Sequence, residues 1–266
     1  MLLPHLVAER ILNKLRITKL EDLQLLESIA WERGATIVDK PLSGSEARLV
    51  AVGNRAIITV STSIKNSQRR RFSIAHELGH LELHRQELIF LCDSENINDW
   101  SSKTSIRNLE QEANKFAASL LLPEKLFSPL CLKTEPSLNT VRLLAEQFNV
   151  SLTATIIRYV QFCYDPVAIV FTQRRQIKWF QRNEAFEDYG FFVNVNSMVE
   201  DSTVAARFFN SESLPKSAQL VKASSWMMPG GYKDIYLHEQ CIAMPNYDAV
   251  LSLLWVEDEW ADEGEN

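Results

Sequence analysis

His76, Glu77 and His80 are the residues of this chain whose types and spacing could do hydrolytic chemistry. They lie within Arg71 to His84, RFSIAHELGHLELH. Histidines four positions apart project from one helix face with Cβ atoms about 5–6 Å apart, so both imidazoles can reach a single metal ion. Glu77 stands at the edge of that face, beside the metal position, where a carboxylate serves as general base. Zinc lowers the pKa of a bound water from about 15.7 to about 7, and a neighbouring carboxylate can take the released proton and pass it to a leaving amine. Phe72, Ile74, Ala75, Leu78, Leu81 and Leu83 surround the triplet, which makes the helix largely apolar and buried. Two imidazoles and a carboxylate inside such a helix carry a desolvation cost unless a metal or hydrogen-bond partners satisfy them.

Catalytic zinc keeps three protein ligands and one open position, and His₂Glu is a recurring set. The third ligand is expected in Leu109 to Pro123, LEQEANKFAASLLLP. There Leu109, Ala113, Phe116, Ala117, Leu120 and Leu121 read as the core face of a helix that Pro123 stops. The candidates are Glu110 and Glu112. Asn114 follows Glu110 by one turn on the same face, where its amide can orient a ligand. That favours Glu110, with Glu112 as the alternative. His84, one turn beyond His80, reads as support for the ligands or as structural. Zinc is the expected ion, although the same donors also take manganese or another divalent cation.

RRRFSIAHELGHLELH followed by LEQEANKFAASLLLP resembles the ImmA/IrrE family of metallopeptidases, which share HELGH and a downstream ExEANxFAxxLLxP signature. The likeness runs from about Gly34 to Pro123 and rests on the pairing of both motifs. It implies zinc on His76, His80 and Glu110, with Glu77 as catalytic base. It also implies a bacterial or phage regulator that cleaves a helix-turn-helix repressor and so releases stress or mobile-element genes.

The 266 residues, 46% hydrophobic and 23% charged, are those of a globular protein long enough for more than one domain. A net charge of −6 argues against a general nucleic-acid-binding surface. Cys92, Cys131, Cys163 and Cys241 form no CxxC pair and read as reduced thiols. With neither a signal-peptide core nor a run of about eighteen apolar residues, the expectation is a cytoplasmic protein without a membrane span.

The spacing predicts a helix over Pro4 to Ile17 and another from Leu20 to Trp31, packed as a hairpin and ended by Gly34. Ala35–Asp39, Ala47–Val52 and Ala56–Val60 read as a small antiparallel sheet, whose edge near the metal could take an extended peptide by strand addition. Ser67 is the expected N-cap of the HELGH helix, and Arg69 to Arg71 read as a solvated entry to it. Cys92 to Asn108 reads as a surface loop. Asn139 to Phe162 resembles a helix-turn-helix, yet its second helix is apolar and offers only Arg158 as a long basic group, which favours packing over DNA reading. Hairpins are expected at Val167–Phe171 with Ile177–Phe180 and at Ile235–Ala243 with Ala249–Val256, and a helix over Val199 to Phe209. Lone His238 lacks a metal-ligand neighbour, and the acidic tail after Val256 reads as frayed.

The expected fold is α+β: a zincin-like metallopeptidase core over 1–125, a helix-turn-helix-like segment over 126–164, and a separate α+β C-terminal domain over 165–266, sensory in some relatives of the resembled family. The expected function is a zinc-dependent endopeptidase that cuts a regulatory protein, a helix-turn-helix repressor. The competing reading is a non-catalytic metal-containing regulator that binds protein or DNA.

Overall fold

The computed structural model describes residues 3–85, 103–132, 135–188, 192–226 and 235–256. The chain divides into two compact units, residues 1–127 with 145–154, and residues 128–144 with 155–266.

In the first unit α1 (Pro4–Lys14) is followed by α2 (Leu20–Gln24), α3 (Leu26–Glu32), β1 (Ala35–Lys40), β2 (Ala47–Val52), β3 (Arg55–Ser61), α4 (Ser67–Leu83) and α5 (Lys103–Leu121). The single expected helix from Leu20 to Trp31 is two, because Leu25 leaves the helical region at φ −83°, ψ 51°. The expected helical hairpin is also absent: α1 lays Val7, Ala8, Ile11 and Leu12 mainly against α5. Gly34, at φ +80°, turns the chain into β1 where a Cβ would stand 2.6 Å from the Asn54 carbonyl oxygen.

The three strands run in the order β1-β3-β2, with β1 parallel to β3 and β2 antiparallel to it. The sheet is therefore mixed, in place of the antiparallel sheet expected from the short connections. β3, the strand nearest α4 in sequence, is central, and β1 and β2 are the edges. Ala56, Ile58 and Val60 of β3 are buried, while Val50, Val52 and Ile57 on the other face are exposed.

Asn66 caps α4 by accepting from the Arg69 N–H, in place of the expected Ser67, whose hydroxyl donates to Asn149. The arginines behind it are not a solvated triplet. Arg69 pairs with Glu46, Arg70 bridges Glu27 and Asp39, and buried Arg71 donates to the carbonyls of Leu23 and Gln24. Together they tie the start of α4 to β1, to the residue before β2, and to α2 and α3. Helix α5 begins at Lys103, so the stretch read as a loop to Asn108 already contains its first turn and a half. Cys92 and residues up to 102 lie outside the described residues.

After α6 (Glu124–Cys131), helices α7 (Leu138–Phe148) and α8 (Leu152–Phe162) form the helix-turn-helix-like segment, joined through Asn149 at φ 51°. Thr155, Ile156, Tyr159 and Val160 of α8 are buried, and the Arg158 guanidinium lies 4.4 Å over the Phe162 ring.

The second unit carries β4 (Val167–Gln173), β5 (Gln176–Arg182), α9 (Glu184–Asp188), α10 (Val204–Phe209), β6 (Gln219–Lys222), β7 (Tyr236–Met244) and β8 (Ala249–Trp255). The strands form one antiparallel sheet in the order β5-β4-β8-β7-β6. Arg174 and Arg175, at φ 51° and 60°, make the two-residue turn of the first hairpin. The expected helix from Val199 is shorter, starting at Val204 behind a Thr203 cap, and β6 falls in a stretch without a strand expectation. A cluster including Ala168, Val170, Phe186, Val204, Trp226 and Leu254 fills one side of the sheet. Within it Glu239 is fully buried and accepts from the Val204 and Ala205 N–H groups, Trp226 Nε1 and the Cys241 and Ser252 side chains. His238 stacks on Trp255 at 5.1 Å. Cys131, Cys163 and Cys241 are buried free thiols, and the tail after Val256 lies outside the described residues. No described helix is long and apolar enough to cross a membrane.

Candidate metal centre

The site is carried by two helices that touch at a glycine. A Cβ on Gly79 of α4 would stand 3.0 Å from Ala113 Cα, 3.1 Å from its carbonyl oxygen and 3.2 Å from Phe116 Cδ1. Only hydrogen fits there without displacing α5, so the glycine of HELGH sets the helix spacing. One turn before Ala113, Glu110 is brought across from the two histidines of α4.

His76 Nε2 and His80 Nε2 lie 3.1 Å apart, and the Glu110 carboxylate oxygens lie 3.2 Å from the first and 3.3 Å from the second. The hydrogen bonds behind them fix which nitrogens carry protons. Asn114 Oδ1 can only accept, so His76 donates to it from Nδ1, at 2.9 Å. Glu112 Oε2 accepts from His84 Nε2 at 3.1 Å, which leaves His84 Nδ1 to accept from His80 Nδ1, also at 3.1 Å. In neutral imidazoles both Nε2 atoms then present lone pairs toward the Glu110 carboxylate. Burial, and next the neighbouring His76, pull the His80 pKa down to about 4, so the ring is neutral near pH 7.

Three electron-pair donors that converge with no proton between them repel one another, and a cation relieves this. Donors bound to one ion at about 2.1 Å in tetrahedral array stand about 3.4 Å apart, close to the separations here. His76, His80 and Glu110 are thus a set that could hold a metal ion. Glu112 is turned away from that point onto His84, and Asn114 and His84 hold the outer nitrogens of the two facing histidines.

Glu77 is half-buried one position along α4. Burial, and then the nearby Glu110 carboxylate, push its carboxyl up to about 7, against a backbone hydrogen bond from Leu49 that lowers it. Leu49 belongs to β2, an edge strand whose Ala47 also borders the site. A cavity of about 260 Å³ opens here, lined by Glu46, Ala47, Phe72 and Ser73 next to His76 and Glu77. Sequence reasoning missed Leu49, whose contribution is a backbone N–H that any residue type supplies, and the cavity wall at Glu46 and Phe72. Their signals, a residue at a strand entry and an aromatic one turn before a ligand histidine, are too common to stand out.

No curated protein matches the chain significantly. Its fold is similar to that of a Mycobacterium tuberculosis transcriptional regulator, with a TM-score of 0.58 at 17% sequence identity, over 96% of this chain and 88% of that one. Residues 31–159, which contain α4, α5 and every polar group of the centre, match the Peptidase M78 family, described as an IrrE N-terminal-like domain. Residues 31–159 of this α+β chain are therefore a zincin-like domain that matches the IrrE N-terminal-like model of the Peptidase M78 family.

Proposed function

We propose that the chain is a zinc-dependent endopeptidase that cuts a regulatory protein, with a helix-turn-helix repressor as the substrate class, in the cytoplasm. The observation that carries this reading is the convergence of His76 Nε2, His80 Nε2 and the Glu110 carboxylate, with the Glu77 carboxyl at the next position of the same helix. The match of residues 31–159 to the Peptidase M78 model supports peptidase chemistry, and the likeness in fold to a protein named as a transcriptional regulator supports a regulatory setting.

His76, His80 and Glu110 would hold a divalent ion, which would supply Lewis-acid polarisation of a scissile carbonyl and of water. Glu77 accepts the proton that the attacking water loses and returns it to the leaving amine. Asn114 fixes the ring of His76, and Glu112 acting through His84 fixes that of His80. An extended substrate segment lies along the β2 edge by strand addition.

The first test is metal content by plasma mass spectrometry. About one zinc per chain is expected in the native protein, with loss in His76→Ala and Glu110→Ala. Glu77→Gln is expected to keep its metal and lose cleavage of the repressor. Retained cleavage rejects Glu77 as base, and a native protein that takes up no metal when offered it rejects the peptidase reading in favour of a partner-binding regulator.

A further inference from the structure

The cavity beside the centre has a composition that the peptidase reading does not require. One wall is the Phe72 ring, one turn before His76, with its centroid 6.2 Å from that imidazole. Another is Glu46, at the entry to β2. Its main chain is fixed by the Ser61 N–H donating to its carbonyl at 2.8 Å. Its side chain is held by Arg69 and by Ser73 Oγ, the latter at 3.2 Å from Oε2. Each carboxylate oxygen has two lone pairs, so both can still accept from a ligand. Among the described residues the lining holds no lysine or arginine, and Glu77 is the other carboxyl in it. An aromatic wall that takes a methylene stem, ending in an anchored carboxylate, suits a long side chain with a cationic head. An acidic side chain meets like charge at Glu46, and a short one leaves the space unfilled.

We propose that this cavity is the side-chain subsite of the centre, that it selects a lysine or arginine of the substrate beside the scissile bond, and that Glu46 is the specificity-determining residue. The inference rests on the metallopeptidase reading and goes beyond it by naming a substrate class. Arg69 sets the strength of the preference, because its guanidinium competes with the incoming cation for the same carboxylate.

The test uses the full chain loaded with zinc and isothermal titration with two series of hydroxamates, which chelate the ion and carry the side chain on one side of the chelating group or the other. Each series contains arginine, norleucine and glutamate side chains. In one series arginine is expected to bind about fivefold to tenfold more tightly than norleucine, the worth of a partly exposed charge-assisted contact, with glutamate weakest. Glu46→Gln is expected to bring the arginine-to-norleucine ratio near one, and Arg69→Met to raise it. Equal binding of arginine and norleucine in both series overturns the subsite while leaving the metal centre intact. So does a preference that survives Glu46→Gln. If Glu46→Gln does not fold, a ratio unmoved or lowered in Arg69→Met overturns it instead. Absence of zinc uptake and of all hydroxamate binding overturns the metal centre, and the subsite with it.

Discussion

Replacing Gly79 by alanine separates what holds the domain together from what holds the metal. The new methyl would meet Ala113 Cα at 3.0 Å, its carbonyl oxygen at 3.1 Å and Phe116 Cδ1 at 3.2 Å, all on α5. Carbon contacts settle at about 3.5–4.0 Å, so α5 must withdraw by roughly half an ångström or more. Overpacking of this kind costs about 1–3 kcal/mol, while alanine recovers about 1 kcal/mol over glycine within a helix. The net loss of stability is therefore small, about 0–2 kcal/mol. Metal affinity should suffer far more. Glu110 is one turn from Ala113 and moves with it, whereas ligand distances tolerate only about 0.2 Å. We expect zinc affinity to fall about 10- to 100-fold, the range seen when groups that position metal ligands are disturbed. A chelator competition titration measures the affinity, and urea unfolding with chelator present measures the stability. Affinity within threefold of wild type would refute the argument that helix spacing at Gly79 seats Glu110.

Glu112→Gln keeps an acceptor for His84 but removes the charge, and is expected to weaken zinc binding by up to about tenfold without abolishing it; no change in the same titration would show that the His84 relay is idle. In the metal-free protein two pH dependences oppose one another. His80, lowered from 6.5 to about 4, makes stability rise as pH climbs through that window, because the unfolded chain binds the extra proton. Glu77, raised from 4.5 to about 7, makes stability fall as pH climbs through its own. Glu77→Gln removes the second. Its urea stability should therefore rise from pH 4.5 to 6.5 more steeply than that of wild type, by on the order of 2 kcal/mol, and parallel profiles would be the contrary result. Glu239→Gln in the second unit turns an amide N–H₂ toward a site made of donors, and should cost about 3 kcal/mol by thermal or urea unfolding; a loss under 1 kcal/mol would mean the network repacks.

How much of this was legible in the sequence follows from the range of the interactions involved. His76, Glu77 and His80 announce themselves because helical spacing alone puts them together. Glu110 could be ranked above Glu112 through Asn114, again a matter of one turn. The parallel pairing of β1 with β3 could not be read, since strand order is a long-range choice and the segments Ala35–Asp39 and Ala56–Val60 look alike in either direction. The arginines at 69 to 71 looked like solvated charge because their partners, Glu27, Asp39, Glu46 and the carbonyls of α2, lie far off in sequence. Leu20 to Trp31 has helical periodicity throughout, and the break at Leu25 leaves no glycine or proline to mark it. The hairpin of Val167–Phe171 with Ile177–Phe180 is legible from its two strands, although neither turn residue, Arg174 nor Arg175, is a favoured left-handed one.

The three converging donors and the groups on their outer nitrogens come from two short runs, 76–84 and 110–114, seated against each other at Gly79 and Ala113. For a designer this is a portable unit. Any scaffold that brings two helices to glycine-contact distance can host it, provided that both runs and the small pair between them are moved together. A graft of the histidine run alone would carry the imidazoles without the partners that choose their tautomers.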